Sequence, residues 1–261
     1  MPNADTRELM RRYLRQLDEQ GEHELPFKLA AAAPRVAAAQ AMPAHAASPQ
    51  ATLQQKVVLG RPVIPASSGS KSEELETFRA EICSCQKCSL GKRRKHFVFG
   101  DGDASAKIVF VGEAPGEEED NQGRPFVGAA GQLLTKIIEA IKFRRDEVYI
   151  CNILKCRPPG NRDPEPGEVE LCEPYLIRQL EIIQPVAICA LGRHAAQTLL
   201  KTVVPISKLR GQVHSYHDIK LIPTFHPAAL LRNPAWKRQT WEDVQLLRKV
   251  YDQEIAKCPI A

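Results

Sequence analysis

Four short apolar runs that alternate with helical patterns constrain the fold of this 261-residue chain more than any other feature. Each run is almost continuously apolar, as expected of strands that are covered on both faces of a sheet. The runs are Lys107–Gly112, Val148–Asn152, Val186–Leu191 and Lys220–Phe225. Helical periodicity occupies residues 74–82, 128–142, 165–183, 192–201 and 238–256. The alternation predicts an α/β fold of three layers, α/β/α, around a central four-stranded parallel sheet.

Polar residues follow three of the predicted strands. The turn Glu113–Gly116 follows the first strand, Asn152 ends the second, and His226 follows the fourth. Ligands of parallel α/β sheets bind just beyond the carboxyl ends of the strands. We therefore expect these residues to meet at one rim of the sheet and to form a ligand site there.

The first 72 residues have a different composition. An amphipathic helix is predicted within residues 1–25, with an apolar face formed by Leu9, Met10, Tyr13, Leu14 and Leu17. Alanine occupies 12 of the 22 positions from residue 30 to residue 51, with prolines interspersed. Residues 26–72 are therefore predicted to be a flexible linker, so that a disordered N-terminal tail precedes a globular domain at 73–261. The N-terminal helix could dock on this domain or on a partner protein.

Hydropathy argues against a membrane protein. No apolar run in the sequence approaches the ~20 residues of a membrane-spanning helix, and the N-terminus lacks the pattern of a secretory signal peptide. We therefore expect a cytoplasmic protein. We also expect a monomer.

The net charge of +5 is small, but basic residues cluster at 92–95, 142–145 and 232–238. Such clusters can neutralise phosphates, although they can equally be ordinary solvated surface.

Eight cysteines are many for a chain without an export signal, so metal or redox chemistry is expected rather than disulfides. Cys85 and Cys88 form a C-x2-C pair, and Cys156 and Cys172 follow later in the sequence. Four thiolates can hold a tetrahedral zinc ion or an iron–sulfur cluster, and the spacing alone does not select the metal. Cys83 is a competing candidate ligand. The alternative is a set of unrelated buried and exposed thiols.

Several segments resemble the signatures of the family 4, iron–sulfur uracil-DNA glycosylases. The segments are GEAPGEEED at Gly112–Asp120, GRPFVG at Gly123–Gly128, NILKCRPP at Asn152–Pro159 and HPAALL at His226–Leu231. The similarity extends from about residue 80 to residue 255. It implies the uracil-DNA glycosylase fold, in agreement with the predicted sheet. It also implies hydrolysis of the bond between uracil and its sugar in single- or double-stranded DNA, which leaves an abasic site and initiates base excision repair.

The resemblance also implies a cofactor and a base-binding site. A [4Fe–4S] cluster would be held by Cys85, Cys88, Cys156 and Cys172. Phe126 would stack on a base flipped out of the DNA, and the amide of Asn152 would distinguish uracil from cytosine. His226 would donate a hydrogen bond to uracil O2 as negative charge develops on the leaving base. From the residues alone, Phe126 could be a core residue, Asn152 a turn former and His226 part of a His-Pro turn.

The sequence leaves the catalytic carboxylate open. A related family has an aspartate where this chain has Ala114, so no carboxylate at that position can activate water. Glu119 or Glu113 is therefore expected to position water or to offset positive charge on the sugar, unless the acidic run 117–120 is only solvated surface. Backbone groups of Glu113 and Ala114 would also border the uracil.

The segment Leu230–Pro234 resembles the loop that enters the minor groove and fills the gap left by the flipped base. Leu231 would fill this gap, and Arg232, Lys237 and Arg238 would contact phosphates. A related subgroup attaches covalently to the abasic sugar through a basic insertion. Residues 208–214 lack such an insertion, so the resemblance implies turnover without a covalent trap.

Three other functions remain open at the level of the sequence. A non-catalytic iron–sulfur DNA-binding module would explain the cysteines and basic clusters, but it would leave the polar rim unexplained. A glycosylase that acts on a broader range of deaminated bases would share every motif, so a panel of substrates is needed to separate the two. A redox carrier would hold its cluster without releasing any base.

Overall fold

The computed structural model describes residues 70–257 of the chain. The predicted N-terminal helix and residues 26–69 of the predicted linker lie outside this range. The first described helix, α1, spans Lys71–Ile82. The Ser70 hydroxyl caps it by accepting a hydrogen bond from the Glu73 backbone N–H, while the Glu73 carboxylate accepts one from the Ser70 N–H. The helix thus begins three residues before Glu74, where the sequence pattern predicted its start.

In the part of the chain that the structure describes, six strands form one mixed sheet. Its centre is parallel and has the order β3-β2-β4-β6, with β2 at Ile108–Gly112, β3 at Tyr149–Asn152, β4 at Ala187–Leu191 and β6 at Ile219–Thr224. These four strands confirm the predicted parallel sheet. Two short edge strands were not predicted: β1 (Asp101–Gly102) pairs antiparallel with β3, and β5 (His214–Tyr216) pairs antiparallel with β6. Both are too short and too exposed to show an apolar run.

Helices cover both faces of this sheet. They are α2 (Glu117–Gln122), α3 (Ala129–Ala140), α4 (Pro166–Ile183), α5 (Arg193–Leu200), α6 (Ile206–Leu209), α7 (Pro227–Arg232) and α8 (Lys237–Lys257). Val109 and Val111 of β2 pack in a core with α1, α4 and α5. Ile108 and Phe110 of the same strand pack in a second core with α3 and α8. Because alternate residues of a strand point to opposite faces, this division confirms the three-layer α/β/α architecture.

None of the helices within residues 70–257 is both long enough and apolar enough to cross a membrane.

The register of the parallel strands brings their carboxyl ends to one edge. Gly112 of β2 is paired with Asn152 of β3, and Leu191 of β4 is paired with Thr224 of β6. The chain passes from β2 to β3 on one side, and the next strand, β4, lies on the other side of β2. This reversal creates a crevice at the carboxyl ends, which is the usual position of a ligand site in such sheets.

Candidate active site

Gly112 forms the floor of the crevice. A Cβ atom at this position would lie 2.3 Å from Asn152 Oδ1 and 2.7 Å from Phe126 Cζ. The amide of Asn152 and the ring of Phe126 therefore pack directly on the main chain of Gly112, and a side chain has no room there. Two residues predicted to recognise a base thus meet at the end of β2.

Asn152 carries a buried acceptor without a partner among the described residues. The residue is 2% exposed, and its Oδ1 atom makes no hydrogen bond within residues 70–257. Its main-chain carbonyl, in contrast, accepts a hydrogen bond from Lys155 Nζ at 2.8 Å. An unpaired buried polar atom costs about 1–3 kcal/mol. The Oδ1 atom therefore marks a place where an N–H group of a ligand would bind.

The loop that carries Phe126 holds this residue in a left-handed backbone conformation. Phe126 has φ = +52°, a region that costs a bulky residue about 1–3 kcal/mol. The Arg145 guanidinium stabilises the loop by donating a hydrogen bond to the Pro125 carbonyl at 2.7 Å. The loop also packs tightly on Gly131, where an added Cβ atom would lie 1.9 Å from the Phe126 carbonyl oxygen. The Phe126 ring lies 5.6 Å from the His226 ring, centroid to centroid. Phe126 is 7% exposed and packs in the core with α3 and α8, so its stacking role stays a prediction.

The Glu119 carboxylate ties this loop to the turn after β2. Its Oε1 atom accepts hydrogen bonds from the backbone N–H groups of Val127 at 3.0 Å and of Gly128 at 3.3 Å. Its Oε2 atom accepts one from the Gly116 N–H at 3.0 Å, at the N-terminus of α2. Such charge-assisted hydrogen bonds fix the carboxylate in place. They support a positioning role for Glu119, and its predicted electrostatic role on the sugar stays a prediction.

His226 is held as a neutral imidazole. Its Nδ1 atom accepts a hydrogen bond from the Ala228 backbone N–H at 3.1 Å, at the start of α7. Burial, assisted by the positive charge of Arg232 and opposed by the negative charge of Glu119, lowers the pKa of His226 to about 4. The proton of the neutral ring is therefore on Nε2, where it can serve as a hydrogen-bond donor.

Glu113 lies beside a second polar group, His194 with Asp163, which no sequence motif indicated. Its Oε2 atom lies 4.0 Å from His194 Nε2, and that nitrogen lies 3.0 Å from Asp163 Oδ2. Burial raises the pKa of Glu113; the positive charges of His194 and Arg193 oppose this shift, and the negative charge of Asp163 adds to it. A histidine within a helical pattern and an aspartate in a proline-rich loop belong to no motif, so nothing in the sequence singled them out.

The Glu113 side chain and His194 line a cavity of about 650 Å³ between α4 and α5. As far as the described residues show, the lining does not include Phe126, Asn152 or His226. The structure therefore brings these three residues together and directs the Glu113 side chain to a neighbouring space. The main chain of Glu113 stays at the rim, where its carbonyl accepts a hydrogen bond from the Leu154 N–H at 3.0 Å.

Helix α7 presents an exposed apolar side chain next to the rim. Leu230 is 1% exposed and packs in the core, whereas Leu231 is 46% exposed. Arg232 and Arg238 are exposed, and Lys237 is partly buried. An exposed leucine flanked by basic residues fits the loop predicted to face DNA.

The four cysteines predicted to bind a metal come together from three segments of the chain. The charges of Cys85 and Cys88 act on the pKa of Cys156, and those of Cys156 and Cys88 act on the pKa of Cys172. Cys85 and Cys88 also pack against the core that contains the other two thiols. Tyr175 OH donates a hydrogen bond to Cys85 Sγ at 3.2 Å. These contacts support a common site for all four thiols.

Positive charge lies close to these sulfurs. Arg94 Nη1 donates to Cys156 Sγ at 3.3 Å and to the main-chain carbonyl of Cys85 at 2.6 Å. The side chain of Lys155, which precedes Cys156, is 0% exposed. Cys83, the competing candidate, is exposed, and its thiol donates to the carbonyl of Ala80 at 3.3 Å. The surroundings of the other four thiols therefore suit a negatively charged metal site.

Within residues 70–257, three side chains place their donor atoms within 4.8 Å of one another at Glu113, Asp163 and His194. The four thiols are a donor set that suits either a tetrahedral zinc ion or an iron–sulfur cluster.

The fold and the composition of the rim define a class of protein. The model of the Uracil DNA glycosylase superfamily matches residues 99–245. The chain is 48% identical over 179 residues to the type-4 uracil-DNA glycosylase of Archaeoglobus fulgidus, covering 66% of this chain and 90% of that protein. It is 46% identical over 187 residues to the type-4 enzyme of Sulfurisphaera tokodaii, covering 68% of this chain and 85% of that protein.

A more distant relative is the type-5 uracil-DNA glycosylase of Pyrobaculum aerophilum. It is 32% identical to this chain over 146 residues, covering 49% of this chain and 64% of that protein. The greater identity and coverage lie with the type-4 proteins. The chain belongs to the type-4 uracil-DNA glycosylases.

Proposed function

We propose that this protein excises uracil from DNA by hydrolysing the N-glycosidic bond, which leaves an abasic site and begins base excision repair. Its membership of the type-4 family supports this function. The observation that carries it is the buried, unpartnered Oδ1 atom of Asn152, beside the ring of Phe126 and near the neutral His226. These residues provide an acceptor, a flat apolar surface and a donor at one rim.

Base recognition follows from the hydrogen-bonding pattern of uracil. The N3–H of uracil is a donor and suits Asn152 Oδ1, and the amide nitrogen can donate to uracil O4. Cytosine has an acceptor at N3 and a donor at C4, so both contacts would be lost. An unpaired buried acceptor then costs about 1–3 kcal/mol, which discriminates against cytosine. Stacking on Phe126 adds affinity for a flipped base without selecting its identity.

Bond cleavage requires stabilisation of the leaving base. When the bond between the sugar C1′ and uracil N1 breaks, its electron pair stays on the base and positive charge develops on the sugar. The Nε2–H of His226 would donate to uracil O2 and stabilise the anion in the manner of an oxyanion hole. A neutral imidazole suits this role because its proton is already on the nitrogen that is free of the Ala228 contact.

Two carboxylates are candidates for the developing charge on the sugar and for the attacking water. The charge of Glu119 acts on His226, so it lies close to the base site and can stabilise a positive sugar. Its three backbone hydrogen bonds hold that charge in a fixed place. Glu113 borders the neighbouring cavity and has a raised pKa, so it can position water and accept a proton from it.

The DNA surface would lie around α7. Leu231 would fill the space left by the flipped base, as apolar wedges do in distorted DNA. Arg232, Lys237 and Arg238 would contact phosphates on the same side.

A [4Fe–4S] cluster would bind Cys85, Cys88, Cys156 and Cys172. The cluster would supply a structural cross-link between the segment after α1, the loop after β3 and helix α4. Hydrolysis transfers no electrons, so this function needs no redox change of the cluster.

Base release from a labelled oligonucleotide with a single uracil tests the proposed function. The protein is purified without oxygen, and matched oligonucleotides with cytosine or thymine serve as controls. We expect release of uracil alone, with many turnovers per protein. Protein that retains iron and binds DNA but releases no base would instead indicate a non-catalytic DNA-binding module. Release of several deaminated bases at similar rates would indicate a broader glycosylase.

A further inference from the structure

A buried lysine connects the base-reading amide to the four-cysteine site. Lys155 Nζ donates to the main-chain carbonyl of Asn152 at 2.8 Å and to Gln179 Oε1 at 2.6 Å. The next residue in the chain is Cys156, a candidate cluster ligand. Lys155 therefore contacts Asn152 through its side chain and is bonded to a candidate ligand through its main chain.

The end of the Lys155 side chain is enclosed by the protein. The residue is 0% exposed, and the two acceptors of its Nζ atom are the main-chain carbonyl of Asn152 and Gln179 Oε1. A buried donor is costly to leave unpaired. These two hydrogen bonds therefore fix the position of Nζ against the end of strand β3.

Gln179 fixes the other side of the lysine. Its Nε2 atom donates to the Phe99 carbonyl at 3.0 Å and to Tyr149 OH at 3.2 Å, and its Oε1 atom accepts from Lys155. Gln179 is 0% exposed and Tyr149 is 2% exposed. A buried, fully paired network of this kind holds its members in one arrangement. A displacement of Lys155 would therefore be passed to the carbonyl of Asn152.

We propose that Lys155 is a positioning residue for uracil recognition, which sets the position of Asn152 through its main-chain carbonyl. This inference rests on the proposed uracil excision. Lys155 touches neither the base nor the sugar and acts through Asn152.

Lys155→Met tests the proposal because methionine fills a similar volume and can neither donate nor carry charge. We expect the single-turnover rate of uracil release at saturating DNA to fall about tenfold or more, with little change in DNA affinity. We also expect the preference for uracil over cytosine to fall, because the amide of Asn152 is no longer held in place. Lys249→Met, an exposed position on α8, is the matched control and should change neither the rate nor the preference.

A double-mutant cycle with Asn152→Ala separates positioning from a general structural effect. If Lys155 acts through Asn152, the loss caused by Lys155→Met should largely disappear in the Asn152→Ala background. Equal losses in both backgrounds would overturn the proposal. So would a Lys155→Met protein that has full iron content and releases uracil at the wild-type rate.

Gln179→Glu decides the matter if Lys155→Met does not fold or does not retain iron. This variant keeps the lysine and the size of residue 179 but pairs Nζ with a carboxylate, which draws it away from the carbonyl of Asn152. We expect a lower rate of uracil release and a weaker preference for uracil over cytosine. Wild-type values for both would overturn the proposal. Failure of the wild-type protein to release uracil would count against the proposed function, whereas normal release by the wild-type protein and by both variants would count against the role of Lys155 alone.

Discussion

The rings of Phe126 and His226 lie 5.6 Å apart, centroid to centroid, with 33° between their planes. The two residues come from distant parts of the sequence, one from the loop before α3 and the other from the N-cap of α7. A planar base that stacks on Phe126 can therefore present an edge to the His226 ring. The proposed stacking surface and the proposed donor to the leaving base are therefore neighbours at this rim.

Phe126→Leu should lower kcat/KM for uracil release. Stacking of a base on an aromatic ring is worth about 1–3 kcal/mol, which corresponds to about a 10- to 100-fold loss. Single-turnover kinetics with a uracil oligonucleotide measure the effect. Phe143→Leu is the control, since Phe143 packs against Tyr251 with ring centroids 5.0 Å apart. Equal losses in the two variants would contradict the stacking role.

Asn152→Asp should reduce the preference for uracil over cytosine. The aspartate keeps the buried acceptor but replaces the amide donor with a second oxygen, so contact with uracil O4 is lost. We expect uracil release to fall about 100-fold, from the loss of a hydrogen bond and the burial of a charge. Competition between uracil and cytosine oligonucleotides measures the preference. Asn121→Asp, at an exposed position, should leave it unchanged, and an unchanged preference in Asn152→Asp would exclude the reading role.

His226 should make stability depend on pH. Its pKa of about 4 lies below the ordinary 6.5, so the unfolded chain binds the extra proton first as pH falls. The free energy of unfolding should therefore decrease as pH falls from 6.5 towards 4, by about 3 kcal/mol in total. Urea unfolding at a series of pH values measures this slope, which should be shallower in His226→Gln and unchanged in the exposed control His217→Gln. An unaltered slope in His226→Gln would show that the histidine is not held neutral by the fold.

Glu119→Ala should destabilise the protein more than removal of a neighbouring carboxylate. The variant loses hydrogen bonds to Gly116, Val127 and Gly128, and hydrogen bonds to charged groups contribute about 1.5–3 kcal/mol each. The freed N–H groups can be partly hydrated, so we expect the free energy of unfolding to fall by about 3 kcal/mol, which is less than the sum of the three bonds. The control Glu117→Ala removes an exposed carboxylate 3.5 Å from Arg157, a pair worth about 0–1 kcal/mol. Similar stability in both variants would leave Glu119 without its positioning role.

Cys172→Ser should abolish or strongly reduce iron binding. A hydroxyl is a poor substitute for a thiolate ligand, and the remaining three cysteines cannot complete the site. Iron content and visible absorbance of anaerobically purified protein measure the loss, together with the thermal midpoint. Cys83→Ser should retain iron, because that thiol is exposed and donates to a backbone carbonyl. Loss of iron from Cys83→Ser with retention in Cys172→Ser would require a different ligand set.

The parallel strands and the main helices could be predicted because their burial leaves a direct trace in the sequence. The strand with Val109 and Phe110 is buried on both faces, so it is apolar throughout. Strands β1 and β5 left no such trace, because hydrogen bonding at the sheet edge needs only two or three residues and little burial. The start of α1 was misplaced because its cap, Ser70, lies in a run of serines and glycines that is typical of a linker.

The rim residues could be found because they follow the ends of predicted strands and belong to motifs. The contacts that distinguish Glu113 from Glu119 could not be predicted, because acidic residues of one segment look alike in the sequence until the fold gives each its partners. The same holds for Lys155, which reads as an ordinary basic residue before a cysteine. Its burial depends on α4, whose Gln179 is 24 positions further along the chain.

The bare main chain of Gly112 limits how this site can be altered. Because the Asn152 amide and the Phe126 ring rest on it, any side chain at position 112 would occupy the volume of both. In a library selected for excision of a different base, positions 126 and 152 can be substituted to change the shape and the hydrogen-bonding pattern of the pocket. Position 112 allows no such substitution, so a larger pocket requires a displacement of the end of strand β2.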